Sequence, residues 1–283
     1  MKNIKFLLYL TTFLLIACSS EKEKKLSTDL MVQKLNGNVK SFTEYTFKTY
    51  NESILLDTCA FVKIEFDDMG YWTLETRKLN ANEYRTKTVE RNKEKLPVKQ
   101  ITRNTNGNIV QTETYTYHKN KPKTIQRNFG NQITFWEYIY DENDSLVEIT
   151  QSVDGNNKGK RIYSYKIKGN ELITEEEIYF NSDNKSQVQI HTVNPSLNTQ
   201  YLNVQLYNPN MVQGPARQGP QSILEVNESG HLIRMESIGI HGKSTVTTIS
   251  YEKDHSNNWI RRDMTRDGKV ISTQIRVIEY YSE

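Results

Sequence analysis

An all-β fold is predicted for this chain by three observations: alternation of apolar and polar residues with period two, a composition suited to pleated surfaces, and one kind of polar turn that keeps returning. In Val39-Lys40-Ser41-Phe42-Thr43-Glu44-Tyr45-Thr46-Phe47 every second residue would face a core. The 17 Tyr, 9 Phe and 3 Trp, with many Thr and Val, fit half-buried strands. The expected architecture is a set of antiparallel hairpins making a curled sheet or an open barrel, preceded by a short helix.

The elements follow in order. Lys2 and Lys5 stand before an apolar run, Phe6 to Ile16, that is too short to span a bilayer comfortably. It closes on Leu15-Ile16-Ala17-Cys18, which looks like a bacterial lipobox. The expectation is a signal peptide over 1–17, lipid on Cys18 and a polar tether over 18–27. Ser19 and Ser20 lack the aspartate that, by resemblance to proteobacterial sorting, retains lipoproteins in the inner membrane. The expected location is therefore an outer-membrane lipoprotein, its leaflet left open by the partly acidic tract Glu21-Lys22-Glu23-Lys24.

Thr28 to Leu35 has capping residues before it and Asn36-Gly37 after it, which predicts a two-turn helix. A single β domain is expected over 28–283. Strands are predicted from Val39 to Val193. Asn194-Pro195, Asn208-Pro209, Gly214-Pro215 and Gly219-Pro220 then break the rhythm, so 194–221 is expected to be a long loop whose Arg217 could reach a ligand.

The repeated turn is seen in Phe66-Asp67-Asp68-Met69-Gly70-Tyr71-Trp72, Tyr140-Asp141-Glu142-Asn143-Asp144-Ser145-Leu146 and Val226-Asn227-Glu228-Ser229-Gly230-His231-Leu232. Tyr251 to Trp259 repeats the plan, and the segments 105–109 and 167–172 match it loosely. Between these turns Tyr115 and Tyr117, Tyr138 and Tyr140, and Tyr163 and Tyr165 recur, each pair two residues apart and so on one strand face. If successive repeats lie side by side, the pairs make an aromatic ladder, read first as core and alternatively as a platform for sugar rings or other planar ligands.

On these residues the chain resembles YD-repeat (Rhs-like) proteins, especially small Bacteroidetes lipoproteins with degenerate repeats. The residues that carry the resemblance are Tyr140-Asp141, Phe66-Asp67, Asn257-Asn258-Trp259-Ile260-Arg261-Arg262 and Ile278-Glu279-Tyr280-Tyr281, within a region from Val39 to Tyr281. It implies hairpins in a curled sheet or open barrel, in a group mostly without assigned activity. The chain has neither a long array nor a terminal effector, so no toxin role is carried over. The same resemblance implies that Asp144-Ser145-Leu146 is an acceptor motif for an O-glycan on Ser145.

Chemistry is sparse. Asp254-His255-Ser256 has triad residue types, but adjacent residues in extended chain point to opposite faces. Glu175 and Glu177 share a face and are read as solvated. The five histidines show no ligand spacing, and no Gly-rich phosphate loop occurs, so neither metal nor cofactor is expected. Cys59, in an apolar run, is read as an inert buried thiol. Lys119, Lys121, Lys123 and Arg127 are read as a lysine edge that discourages strand pairing. With 37 basic and 34 acidic residues, charge gives no argument for nucleic acid.

The functional expectation is a non-catalytic, membrane-anchored β scaffold that binds an envelope protein or a glycan. The alternative is a carrier or chaperone cupping an apolar ligand.

Overall fold

Alternating Thr, Val, Ile and Tyr runs, interrupted by Asp, Asn and Gly, leave the backbone one economical solution: long strands joined by tight turns. A computed structural model describes residues 33–282 apart from 51–52, 81, 181–183, 195–196, 198, 207–216 and 240–241. Backbone alone is described at 48–50, 53–60, 180, 184, 205–206 and 217–220. Cys18, the tether and most of the expected 28–35 helix lie outside the described residues. Gln33 and Lys34 form a turn. Cys59 is a strand residue of undescribed side chain.

The first nine strands are β1 (Val39–Tyr50), β2 (Ser53–Phe66), β3 (Trp72–Lys78), β4 (Tyr84–Arg91), β5 (Pro97–Asn104), β6 (Ile109–His118), β7 (Lys121–Phe129), β8 (Gln132–Tyr140) and β9 (Leu146–Val153). The other nine are β10 (Asn156–Lys168), β11 (Glu171–Phe180), β12 (Asn184–Asn194), β13 (Thr199–Leu206), β14 (Arg217–Val226), β15 (Leu232–Ile238), β16 (Ser244–Lys253), β17 (Trp259–Arg266) and β18 (Lys269–Tyr280). Every strand pairs antiparallel with its sequence neighbours. β1 also pairs with β18, through registers such as Phe42↔Ile278 and Glu44↔Arg276, while holding β2 on its other side.

The 18 strands therefore form a closed up-and-down barrel, and the expected curled sheet or open barrel is corrected. The physical reason is that pairing the first and last strands removes both unpaired edges, which period two alone cannot reveal. For the same reason the lysines at 119–123 do not guard an edge, because β7 is bonded to β6 and β8. The long loop at 194–221 is corrected too. Thr199-Gln200-Tyr201-Leu202-Asn203-Val204-Gln205-Leu206 alternates and forms β13, with the prolines outside it or at Pro220 in β14.

One rim of the barrel, here the lower rim, is where β1 begins and β18 ends. Its turns at Asp67, Asn92, Asp141, Asn227 and Asp254 share one construction. The Oδ1 of each accepts the N–H four residues on, from Tyr71, Leu96, Ser145, His231 and Asn258, at 2.7–2.9 Å. The fourth residue of each turn has positive φ, at Gly70, Lys95, Asp144, Gly230 and Asn257. A register shift of one residue accompanies each turn. Next to these turns, Tyr117, Tyr140, Tyr165 and Tyr251 reach back and donate to the carbonyls of Pro97, Pro122, Leu146 and Leu232, at 2.7, 2.9, 2.9 and 2.7 Å. Arg91 fills the same position, bonding the carbonyls of Lys95 and Trp72. Each strand pair is thereby tied to the turn of the hairpin before it.

The registers link one face around the wall: Glu113↔Arg127, Arg127↔Thr134, Tyr138↔Ile149, Ile149↔Arg161, Tyr163↔Glu176, Glu176↔Gln189 and Gln189↔Val204. Most of the buried side chains fall on this face, including Thr102, Glu113, Ile149, Tyr163, Glu176, Thr247, Ile249 and Arg276. A closed sheet crowds side chains on its concave side, so this face lines the lumen. Its Trp136 and Tyr138 remain partly exposed, which shows a lumen that side chains do not fill. A round ring of 18 strands spaced ~4.8 Å and tilted ~40° would be on the order of 35 Å across, backbone to backbone.

The outer face carries charge in mid-strand, at Glu137, Lys160, Glu175, Glu177, Arg234 and Asp263. Each Lys or Arg at the middle of a bilayer would cost ~2–4 kcal/mol. This is an exterior suited to water.

Candidate functional site

The lumen wall is built from carboxylate–guanidinium pairs bordered by aromatic rings. On β6 and β7, Glu113 accepts from Arg127 Nε at 2.6 Å, from the Tyr115 hydroxyl and from Gln111 Nε2 at 3.1 Å. On β10 and β11, Glu176 accepts from Arg161 Nη1 and from the Tyr163 hydroxyl, both at 2.9 Å. On β1 and β18, Glu44 accepts from Arg276 Nε at 3.0 Å and Gln274 Nε2 at 3.2 Å. Glu113, Glu176 and Arg276 are buried, so these pairs hold their charge only through the bonds they share.

Aromatic rings complete the layer. The Arg127 guanidinium stands 4.8 Å from the centre of the Trp136 ring, and that of Arg276 3.6 Å from the Trp259 ring and 4.7 Å from the Phe42 ring. Leu146, Ile149 and Tyr163 pack with Trp136, Tyr138 and Tyr140 into one apolar cluster; Leu35, Val39, Phe42 and Phe66 pack with Ile64, Trp72, Ile278 and Tyr280 into another.

All six paired tyrosines lie on the lumen face, but they do not form a ladder of neighbouring strands. Tyr115 and Tyr117 are on β6, Tyr138 and Tyr140 on β8, and Tyr163 and Tyr165 on β10, with β7 and β9 between them. The expected ladder of adjacent pairs is corrected, because each repeat is a hairpin and its second strand separates one tyrosine pair from the next. The hydroxyls of Tyr115, Tyr117, Tyr140, Tyr163 and Tyr165 are engaged as described above. Tyr138 has no hydrogen-bond partner among the described residues.

Burial raises every one of these hydroxyls. It holds Tyr117 and Tyr140 at about 12, with Tyr138 and Tyr165 adding to the effect on Tyr140. Tyr138 is raised by burial and Glu113 against the opposing influence of Arg161 and Arg127, so it lies within the field of both ion pairs. The wall therefore offers neutral phenols beside compensated charges. Such groups donate, accept and stack; they do not form a nucleophile and base at the same point.

Other expectations are placed as follows. Arg217 begins β14 at the upper rim, away from the tyrosine pairs in the lower half of the wall. Ser145 closes the Asp141 turn. Asp254 caps its own turn, accepting from Ser256 and Asn258 backbone N–H groups at 2.9 Å, which leaves no triad. Glu175 and Glu177 face outward, where Glu177 bonds Lys185 and Tyr179. No cluster of His, Cys, Asp or Glu able to hold a metal occurs among the described residues. Sequence reasoning missed Glu113, Glu176, Arg161 and Trp136. The signal was present as Glu113-x-Tyr115 and Arg161-x-Tyr163, charge and ring two apart on one face.

No family model and no curated protein matches the chain. Among solved structures it is similar to a porin-like protein from Bacteroides uniformis ATCC 8492, at 14% identity and TM-score 0.45, over 86% of this chain and 98% of the other. A porin-like protein from Bacteroides vulgatus ATCC 8482 follows at 11% and 0.38, with the same coverage. A Tc holotoxin pore of Photorhabdus luminescens follows at 10% and 0.18, this chain spanning 14% of its length. At these identities and scores the likenesses carry no argument about activity.

Proposed function

We propose that the protein is a lipid-anchored barrel of the cell envelope that stands in water and binds a glycan in its lumen, as a scaffold without catalysis. The observation that carries this reading is a lumen wall where partly exposed aromatic rings, Trp136 and Tyr138, alternate with compensated ion pairs. A sugar has an apolar ring face for the first and hydroxyls for the second. The alternative of an apolar cargo fits this wall less well, since covering Glu113–Arg127 with hydrocarbon would strip water from charges and return no hydrogen bond.

Anchoring rests on the lipobox at Cys18 and on Ser19 and Ser20 after it. Cys18→Ala should abolish fatty-acid labelling and membrane retention, and density-gradient fractionation of the wild type should place it with the outer membrane. The lumen reading is tested by titrating the purified protein with envelope polysaccharides and, in parallel, with fatty acids. Carbohydrate binding supports it, and binding of fatty acids alone would transfer the case to the carrier. O-glycosylation of Ser145 belongs to the same proposal; unmodified Ser145 in native material, by mass spectrometry, would remove it.

A further inference from the structure

We infer that the wall panel of Trp136, Tyr138 and Gln151, between the Glu113–Arg127 and Arg161–Glu176 pairs, is a subsite for a neutral pyranose. The inference rests on the lumen reading above and specifies where and what it binds. Trp136 and Tyr138 are two apart on β8, about 6.6 Å along the strand, so one sugar unit stacked on the indole can reach the phenol with its exocyclic hydroxyls. Gln151 of β9 is registered opposite Trp136, and Ile149 opposite Tyr138. Apolar faces are thus flanked by an amide and two ion pairs.

The Tyr138 hydroxyl sets this panel apart. Its five counterparts are committed: Tyr115 to Glu113, Tyr163 to Glu176, and Tyr117, Tyr140 and Tyr165 to backbone carbonyls. Each ties the wall together. The Tyr138 hydroxyl is bonded to nothing among the described residues, and its side chain stands half-buried on the lumen face. A half-buried phenol with no bond to the wall, beside a part-exposed indole on the same face, can serve a ligand instead of the fold.

Charge selects the ligand class. Each arginine flanking the panel is matched by a glutamate, Arg127 by Glu113 at 2.6 Å and Arg161 by Glu176 at 2.9 Å, so the panel itself carries no net charge. An anionic sugar would gain nothing from cations that are already neutralised. Vicinal hydroxyls of a neutral ring are suited to it, since the part-exposed guanidiniums of Arg127 and Arg161 donate and the Gln151 amide both donates and accepts.

The experiment is calorimetric titration of the full chain, with tryptophan fluorescence in parallel, using defined neutral oligosaccharides (malto-, cello-, laminari- and mannotetraose and tetra-N-acetylchitotetraose) and tetragalacturonate as the acidic probe. The expected result is that at least one neutral probe binds and quenches fluorescence. Tyr138→Phe should weaken it about tenfold, the loss of one net hydrogen bond. Trp136→Ala should abolish both heat and quenching. Tyr140→Phe, whose hydroxyl is committed to Pro122, should leave affinity unchanged, and near-ultraviolet circular dichroism should show that every variant is folded. Neutral binding that survives in both Tyr138→Phe and Trp136→Ala overturns the subsite while sparing the lumen reading. Binding of tetragalacturonate alone overturns the neutral class. No binding of any sugar to folded wild type overturns the lumen reading and this inference with it.

Discussion

Two parts of the wall carry the same Glu–Arg–Trp arrangement and finish it differently. In one, Glu113 holds Arg127 over Trp136, and the indole stays partly exposed to the lumen. In the other, Glu44 holds Arg276 over Trp259, and the indole is only 4% exposed. The second is covered from several sides: Arg262 stands 5.1 Å from the Trp259 ring, Tyr251 meets it edge-on at 6.3 Å, and the nearby cluster is closed by Leu35 and Val39 at 6% and 0% exposure. One arrangement of side chains thus serves as core where the chain before β1 is fastened beside it at Asn258, and as a part-exposed surface where no described segment is. Burial by the rest of the chain, rather than residue type, separates a structural aromatic from one available to a ligand.

The strongest way to break this comparison is to truncate both indoles. Trp259→Ala should cost about 3–5 kcal/mol, since the ring is buried among partners that cannot close the gap. Trp136→Ala, already facing solvent, should cost about 1 kcal/mol. Denaturant unfolding of the two variants measures both. Equal losses would mean that Trp136 is as structural as Trp259 and that the two parts of the wall do not differ.

The cover can be loosened without touching the ring. Asn258 is 1% exposed and holds the segment before β1 at two points, its Oδ1 accepting the Asn36 N–H at 2.6 Å and its Nδ2 donating to the Asn36 carbonyl at 2.8 Å, while the same Nδ2 donates to the Tyr280 hydroxyl of β18 at 2.8 Å. Asn258→Ala removes all three bonds from a buried position and should cost about 2 kcal/mol. The comparison is sharpened if amide exchange accelerates around Asn36 to Val39 and Trp259 while the β6–β11 wall is unchanged. Acceleration spread evenly around the barrel would show that the cover is not a separate unit.

The legibility of these features in the sequence follows their range. Strands, hairpin turns and the shared face of each tyrosine pair depend on residues a few positions apart, and Tyr140-Asp141 or Val226-Asn227 announce them directly. The Asn92 turn escaped because Arg91 replaces tyrosine and Lys95, at φ 64°, replaces glycine. Closure depends on β1 meeting β18 across most of the chain, and no local pattern encodes it. β13 was hidden by prolines that turned out to flank an alternating strand. The wall panel needed three-dimensional registers as well: Trp136 meets Gln151 and Arg127 only after β7, β8 and β9 are paired.

The smallest expected effect concerns the tyrosine hydroxyls that fasten the lower rim, and the bonds they make to the wall separate them from Tyr138. Burial holds Tyr117 and Tyr140 at about 12, against about 10 for a tyrosine in an unfolded chain. Below pH ~10 both states keep the proton and the full contribution is present. Between ~10 and ~12 the unfolded chain releases a proton that the folded barrel retains, so stability falls as pH rises through that window. Replacing both by Phe removes the donors to Pro97 and Pro122, at a cost near 1 kcal/mol each at pH 8. The same replacement should flatten the decline between pH 8 and pH 11, since two of the titrating groups are gone. Tyr138→Phe removes no bond to the wall and should cost less at pH 8 than either, by denaturant unfolding at fixed ionic strength. If it costs as much as Tyr140→Phe, its hydroxyl fastens the barrel as the others do, and the open panel of the wall loses the group that distinguishes it.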